Sequence, residues 1–281
     1  MRILIIGAKG QLGTALAQRL TDHELALRDL PELDMTNRDA VSAEITATQP
    51  DLLINAAAYT NVDGCAQNPE LAYRVNGLGP QNLALACAAR DIPLVHVSTN
   101  EVFPGRKADG YDEWDTLEAI NPYGRSKVAG EHNVRSLWRK HYIVRTAWLY
   151  APGGRNFIHA ILRFARERGA VRVVTDEIGN PTNVADLAAA IEQLLTTGQY
   201  GTYHFVNSGA CSRWEFANEI LRLAELDDVP NAQILSSEFD RASTPPPLGA
   251  LNNNVGAAIG ITLRPWQTAL ADYFRTEALN S

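Results

Sequence analysis

The stretch IIGAKGQLGTAL, Ile5 to Leu16, decides how the rest of the chain is read. It continues an apolar run, RILII (Arg2–Ile6), that reads as a buried strand, and it leads into QLGTALAQRL (Gln11–Leu20), which has helical spacing. Gly7, Gly10 and Gly13 stand at the join in a GxxGxxG pattern. Glycines at a strand-to-helix turn let the backbone come close to a pyrophosphate. The helix start then offers free N–H groups and the positive end of its dipole. Gly13 allows the helix to pack closely on the sheet. The spacing alone is weak evidence; its place in the first βα turn is what makes it a dinucleotide fingerprint.

Outward from that turn the pattern repeats. His23–Leu27, Asp51–Asn55 and Pro93–Ser98 read as further strands, with helices expected over Arg38–Thr48 and Pro69–Arg90. The segment NPYGRSKVAGEHNVRSLW forms another helix, and His141–Tyr150 a fifth strand. Apolar strands alternating with helices predict an α/β fold: a Rossmann-type, doubly wound parallel sheet covered on both faces. Ligands of such sheets bind beyond the carboxyl ends of the strands. Residues 1–150 are therefore expected to form an NAD(P)-binding domain. Residues 151–281 form mainly a smaller substrate-binding lobe, with some elements returning to the sheet. In that part, helices are expected over Asn156–Gly169, from near Asn183, over Trp214–Leu226 and near Pro265–Thr276, and a strand over Gly201–Gly209.

The 281 residues are 46% hydrophobic and 20% charged, with a formal net charge of −7. That charge argues against a nucleic-acid or anionic-membrane partner. Cys65, Cys87 and Cys211 are scattered, which excludes a disulfide framework and suits reduced thiols in the cytoplasm. No apolar run reaches membrane-spanning length, and the histidines lack ligand spacing, so no metal is expected.

Tyr123 and Lys127 in NPYGRSK are four residues apart and share a helix face, with Pro122 in the first turn and Asn121 as cap. Reduction of a ketone by hydride needs a proton for the developing alkoxide. A tyrosine can give it, and a nearby ammonium would lower the phenol from its ordinary pKa of about 10. Ser98 and Thr99 end the fourth strand, and Thr99 can bind the substrate oxygen. The second strand offers both Arg28 and Asp29 for the adenosine ribose, followed by Asp34. An acid there favours NADH and an arginine NADPH. Arg28 tips the reading towards NADPH. Arg155, Arg163 and Arg172 are the candidate cations for a substrate diphosphate.

Taken together, GAKGQLG, LDMTN, INAAAYTNVDGCAQNPELAYRVN, HVSTNEVF, NPYGRSKVAGE, VRTAWLY, GRNF and DEIGNPT resemble the dTDP-4-dehydrorhamnose reductase family. That family lies within the extended short-chain dehydrogenase/reductase superfamily, and the likeness runs across almost the whole chain. The resemblance implies reduction of the C4 ketone of dTDP-4-dehydro-β-L-rhamnose to dTDP-L-rhamnose by NADPH or NADH, with a nucleotide sugar as substrate; a homodimer is compatible with it. It implies that Gly10, Gln11 and Leu12 touch the cofactor pyrophosphate and that Asp34 and Met35 lie by the adenine. Ala57, Ala58 and Tyr59 would lie near the cofactor. Thr99, Tyr123 and Lys127 would be catalytic, and Asn100 and Trp148 would meet the substrate.

The chain departs from that family where STNEVFPG replaces STDYVFDG. Asn100 stands for an aspartate, and Glu101 for a tyrosine. Glu177 takes the place of a common glutamine, and Ala15 that of an acid used by magnesium-binding members. Three rival readings stay open: a 4-ketoreductase for another nucleotide-linked deoxysugar, an epimerase with tightly held NAD, and an NADP-binding regulatory subunit without turnover.

Overall fold

The computed structural model of the chain describes residues 1–153 and 156–280. In β1 (Arg2–Ile6), Ile3 and Ile5 enter one core cluster and Leu4 and Ile6 another, so the strand is buried on both faces. Residues of one strand alternate between faces, and a continuous apolar run therefore needs cover on each side. After α1 (Gln11–Arg19) come β2 (Glu24–Arg28), α2 (Arg38–Thr48) and β3 (Leu52–Asn55). Short helices α3 (Val62–Gln67) and α4 (Pro69–Tyr73) precede α5 (Gly79–Ala88), then β4 (Leu94–Thr99), α6 (Pro122–Leu137) and β5 (His141–Thr146). The strands form one parallel sheet, and its far edge beside β5 is completed by a strand from the second half of the chain, Gly201–His204. The register sets Ile5 opposite Leu27 and Ile54, and Thr99 opposite Thr146. This is the Rossmann-type doubly wound sheet.

Beyond it, β6 (Leu149–Tyr150), α7 (Phe157–Arg168), β7 (Val171–Val174), β8 (Ile178–Gly179), β9 (Thr182–Asn183) and α8 (Val184–Leu195) lead to β10, the edge strand Gly201–His204. Then follow β11 (Cys211–Ser212), α9 (Arg213–Leu223), β12 (Asn231–Ile234), α10 (Asn254–Ala258) and α11 (Trp266–Asn280). A separate apolar cluster holds this part together, with Tyr150, Ile158, Phe216, Ile220, Trp266 and Leu270 at its centre.

Two elements differ from the expectation. The helix expected over Pro69–Arg90 is interrupted by a wider π-type turn at Arg74–Leu78. Asn76, in that turn, accepts from the Tyr59 amide at 2.8 Å and donates to the Tyr59 carbonyl and the Ser126 hydroxyl, both at 3.0 Å. Periodicity could not show that the extra residue presents this amide to two distant segments. The strand expected over His141–Tyr150 stops at Thr146, because Trp148 takes φ of 45° and turns the chain; β6 then pairs with β9. A left-handed tryptophan is uncommon, and none of the local residue types announces it.

Helix α6 is fixed to the sheet by a buried charge pair. Arg145 on β5 donates from Nε and Nη2 to the two carboxyl oxygens of Glu131, at 2.9 and 2.7 Å, and Ser98 Oγ donates to Glu131 Oε1 at 2.6 Å. Burial alone would raise the Glu131 carboxyl, but the Arg145 hydrogen bonds and charge, with the Ser98 hydroxyl, hold it below its ordinary range. Glu131→Ala strands the buried Arg145 charge and is expected to cost about 3–5 kcal/mol in a denaturant titration. Because the folded carboxyl is depressed, this contribution is present at neutral pH. It is lost as pH falls below the ordinary carboxylate range.

Candidate active site

The turn after β1 is held from behind. The amides of Gly7 and Ala8 both donate to the Arg28 carbonyl, at 2.9 and 3.1 Å. Gly7 has φ of +83°, and a Cβ there would lie 2.5 Å from the Ala57 amide nitrogen. At Gly13 a Cβ would lie 2.1 Å from the Gly7 carbonyl oxygen, so α1 approaches the turn as only glycine permits. Gly10 caps α1 without a side chain, and the amides of Gln11, Leu12 and Gly13 take no acceptor among the described residues. A helix start with spare donors and no side chain over it fits a dinucleotide pyrophosphate.

This turn opens on a cavity of about 720 Å³ that continues past the carboxyl ends of β3 and β4. Gly7, Gly10, Gln11 and Leu12 line one end. Asp34, Met35, Ala57 and Ala58 line its side. Of the expected cofactor residues, Gly13 sits behind the lining against the turn, and Arg28 and Tyr59 do not reach it. The Arg28 guanidinium pairs with Glu44 at 2.9 Å, away from the lining, so it carries no argument about a 2′-phosphate; Lys9, Asp29 and Asp34 are charged residues of the lining there. Asp29 accepts from the amides of Lys9 and Leu30, both at 2.8 Å, which already uses its carboxylate. Tyr59 also lies outside the lining: its backbone is tied to Asn76 and its hydroxyl lies beside Gly64.

Thr99, Tyr123 and Lys127 line the middle of the cavity. Asn121 accepts from the Gly124 amide at 2.7 Å and starts α6, and a Cβ at Gly124 would fall 2.1 Å from the Glu101 carbonyl. The first turn of α6 is thereby pressed against the end of β4, which brings Tyr123 to Thr99. Ser98 faces the other way, to Glu131, as strand alternation requires. Burial pushes the Tyr123 phenol above its ordinary range, the charge of Glu101 adds to this, and a hydrogen bond with Thr99 opposes it. The expected depression by Lys127 is not found. The Lys127 ammonium donates to the Val97 carbonyl at 2.7 Å, and burial pushes it down to about 8, with Glu131 opposing. A phenol that keeps its proton is the form a proton donor requires.

At the far end stand Asn100, Glu101, Trp148 and Arg213. Asn100 donates to the Gly249 carbonyl at 2.9 Å and accepts from the Thr99 hydroxyl at 3.3 Å. Glu101 lines the cavity and accepts from Asn121 at 2.6 Å; burial raises its carboxyl, and Asn121 and Arg213 oppose that. The Trp148 indole lies against Gly179 and under the Arg213 guanidinium, whose carbon is 3.6 Å from the ring centroid. Of the arginines expected for a diphosphate, Arg163 lies over Phe164 and Arg172 is exposed beside Glu238; Arg155 lies outside the described residues. Arg213 was missed because it lies 65 residues from Trp148 in sequence and is joined to it only in the fold.

Comparison with known proteins gives a consistent result. The RmlD substrate binding domain family matches residues 1–279. The chain is 38% identical to a dTDP-4-dehydrorhamnose reductase of Aggregatibacter actinomycetemcomitans, over 96% of this chain and 97% of that one. A dTDP-4-dehydrorhamnose reductase structure from Clostridium acetobutylicum superposes with a TM-score of 0.96 at 36% identity, covering all of both chains. One from Bacillus anthracis, solved in complex with NADP, gives 0.94 at 38% identity over 98% of this chain and 99% of that one.

Gly13→Ala is expected to weaken NADPH binding about tenfold or more, since the new methyl must push α1 off a backbone carbonyl. Fluorescence titration of the cofactor measures this. Arg28→Ala, in contrast, should leave the NADPH-to-NADH preference where it is.

Proposed function

The chain belongs to the RmlD substrate binding domain family, and from that footing we propose that it reduces the C4 ketone of dTDP-4-dehydro-β-L-rhamnose to dTDP-L-rhamnose with NADPH. The observation that carries this reading is that a glycine-lined pyrophosphate cradle and the set Thr99, Tyr123 and Lys127 line a single cavity. Residues 1–150 would hold mainly the cofactor and residues 151–281 mainly the sugar nucleotide.

Gly7 and Gly10 to Gly13 would hold the pyrophosphate, with Asp34 and Met35 at the adenine side. NADPH, when bound, supplies the hydride. Tyr123, kept protonated by burial, gives its proton to the ketone oxygen as charge develops there. Thr99 donates a hydrogen bond to the same oxygen and fixes its distance from the phenol. Lys127, buried one helical turn from the tyrosine, would offer its ammonium to the nicotinamide ribose. Burial of the whole group strengthens each of these contacts.

A second reading, a 4-ketoreductase for another nucleotide-linked deoxysugar, is favoured by Asn100 and Glu101, which line the sugar end and differ from the family pattern. Turnover of the two sugar nucleotides side by side separates them. The complete catalytic set argues against a regulatory subunit, and net consumption of NADPH separates a reductase from an epimerase. The three cysteines are free and buried, which supports a cytoplasmic setting. No helix among the described residues is long and apolar enough to cross a membrane.

Tyr123→Phe is expected to lower NADPH oxidation with dTDP-4-dehydro-L-rhamnose at least about a hundredfold while NADPH binding is kept. Loss of both together would contradict the proton-donor role. The pH profile gives a second check. Lys127 is charged below about 8, so kcat/KM should be level below that pH and fall above it as the ammonium is lost.

A further inference from the structure

Arg213, the first residue of α9, is a cation held in an unusual state. Its side chain is 23% exposed, and it lines the cavity at the end away from the glycine turn. A guanidinium carries five N–H donors in a fixed fork. Among the described residues none of them makes a hydrogen bond. The nearest carboxylate oxygen, Oε2 of Glu177, is 3.8 Å from Nε, and the other oxygen of Glu177 is taken by Arg241. Burial lowers the Arg213 pKa to about 10, with Glu177 and Glu101 opposing, so the group is still charged at neutral pH. A charged fork that opens on the cavity and finds no acceptor in the surrounding protein is placed to take a partner of opposite sign.

The plane of the fork is also set in advance. The guanidinium lies on the Trp148 indole at 3.6 Å, with the Phe157 ring 5.1 Å away. Trp148 is held in turn by its own left-handed backbone and by Gly179, where a Cβ would lie 2.5 Å from the indole. Stacking of this kind leaves the edges of an arginine free for a planar, bidentate acceptor. The cofactor pyrophosphate is accounted for at the opposite end, by the free amides of Gln11 to Gly13.

Building on the nucleotide-sugar reading above, we propose that Arg213 is the diphosphate anchor of the substrate, its fork bonding the phosphate oxygens while Trp148 carries it from behind. Glu177 then serves as a resting partner: close enough to hold the guanidinium in place, too far to use its donors. Arg241 compensates Glu177, so the arginine charge is left for the ligand. The anchor sets selectivity, because a nucleoside or a free sugar offers the fork no anion.

The test is equilibrium binding of dTDP and of thymidine to the full-length, NADP-loaded protein, for the wild type, Arg213→Met and Arg213→Lys. NADP affinity reports that each variant is folded. Arg213→Met is expected to weaken dTDP about thirtyfold, the range for a charged hydrogen-bonded contact, and to leave thymidine unchanged. Arg213→Lys should fall between, since it keeps the charge and loses the fork. Unchanged dTDP affinity in Arg213→Met overturns the anchor, as does an equal loss for thymidine, which would mark Arg213 as a support for Trp148 alone. Wild-type protein that holds NADP yet binds no dTDP overturns the nucleotide-sugar reading and the anchor with it.

Discussion

Glu131 lies fully buried between α6 and the sheet, and its carboxylate takes hydrogen bonds from Arg145 on β5 and Ser98 on β4. Those three residues join the elements that carry the proposed catalytic side chains. Ser98 is the neighbour of Thr99, and Glu131 is one helical turn beyond Lys127 and two beyond Tyr123. A carboxylate satisfied by a bidentate arginine permits little sliding, so the contact fixes α6 in both register and rotation against the strand ends. The phenol, the ammonium and the threonine hydroxyl owe their convergence to it. The same burial that makes the pair costly to break makes it a precise support.

From this frame follows the unequal electrostatics of the site. Tyr123 and Lys127 are adjacent on one helix face, but their surroundings separate them. The phenol is raised by its burial and by Glu101, while the ammonium, also buried, rests on the Val97 carbonyl and titrates near 8. A reduction needs a proton held on the donor until the alkoxide forms, and this arrangement holds it there. The glycine turn is governed by distance instead of charge. Gly7 and Gly13 remove side chains where backbone must touch backbone, and the helix start is thereby left open.

The end of the cavity proposed for the sugar nucleotide is the part most particular to this chain. Asn100 and Glu101 replace residues that differ in charge or shape in the related family, and both line the cavity. Glu101, Glu177, Arg213 and Arg241 form one linked group of charges there, drawn from four separate segments. Because Glu177 lies between Arg213 and Arg241, the charge balance at this end of the cavity belongs to the group and not to any single substitution.

The sequence by itself determined the sheet and the turn and pointed to the proposed trio of Thr99, Tyr123 and Lys127, because each is written in local spacing: apolar runs for buried strands, glycines three apart at a βα junction, and a tyrosine and lysine one helical turn apart. Family resemblance added Asn100 and Trp148 as proposed substrate contacts. Other features depended on contacts made across the chain, to which local pattern is blind. Only the fold turned Arg28 towards Glu44 and Tyr59 towards Gly64, both away from the cavity. Only the fold broke the fifth strand at Trp148 and the long helix at Asn76. Arg213 met Trp148 for the same reason: the two come from distant segments, and what joins them is the packing of α9 on the strand ends, an arrangement no short window of residues can encode.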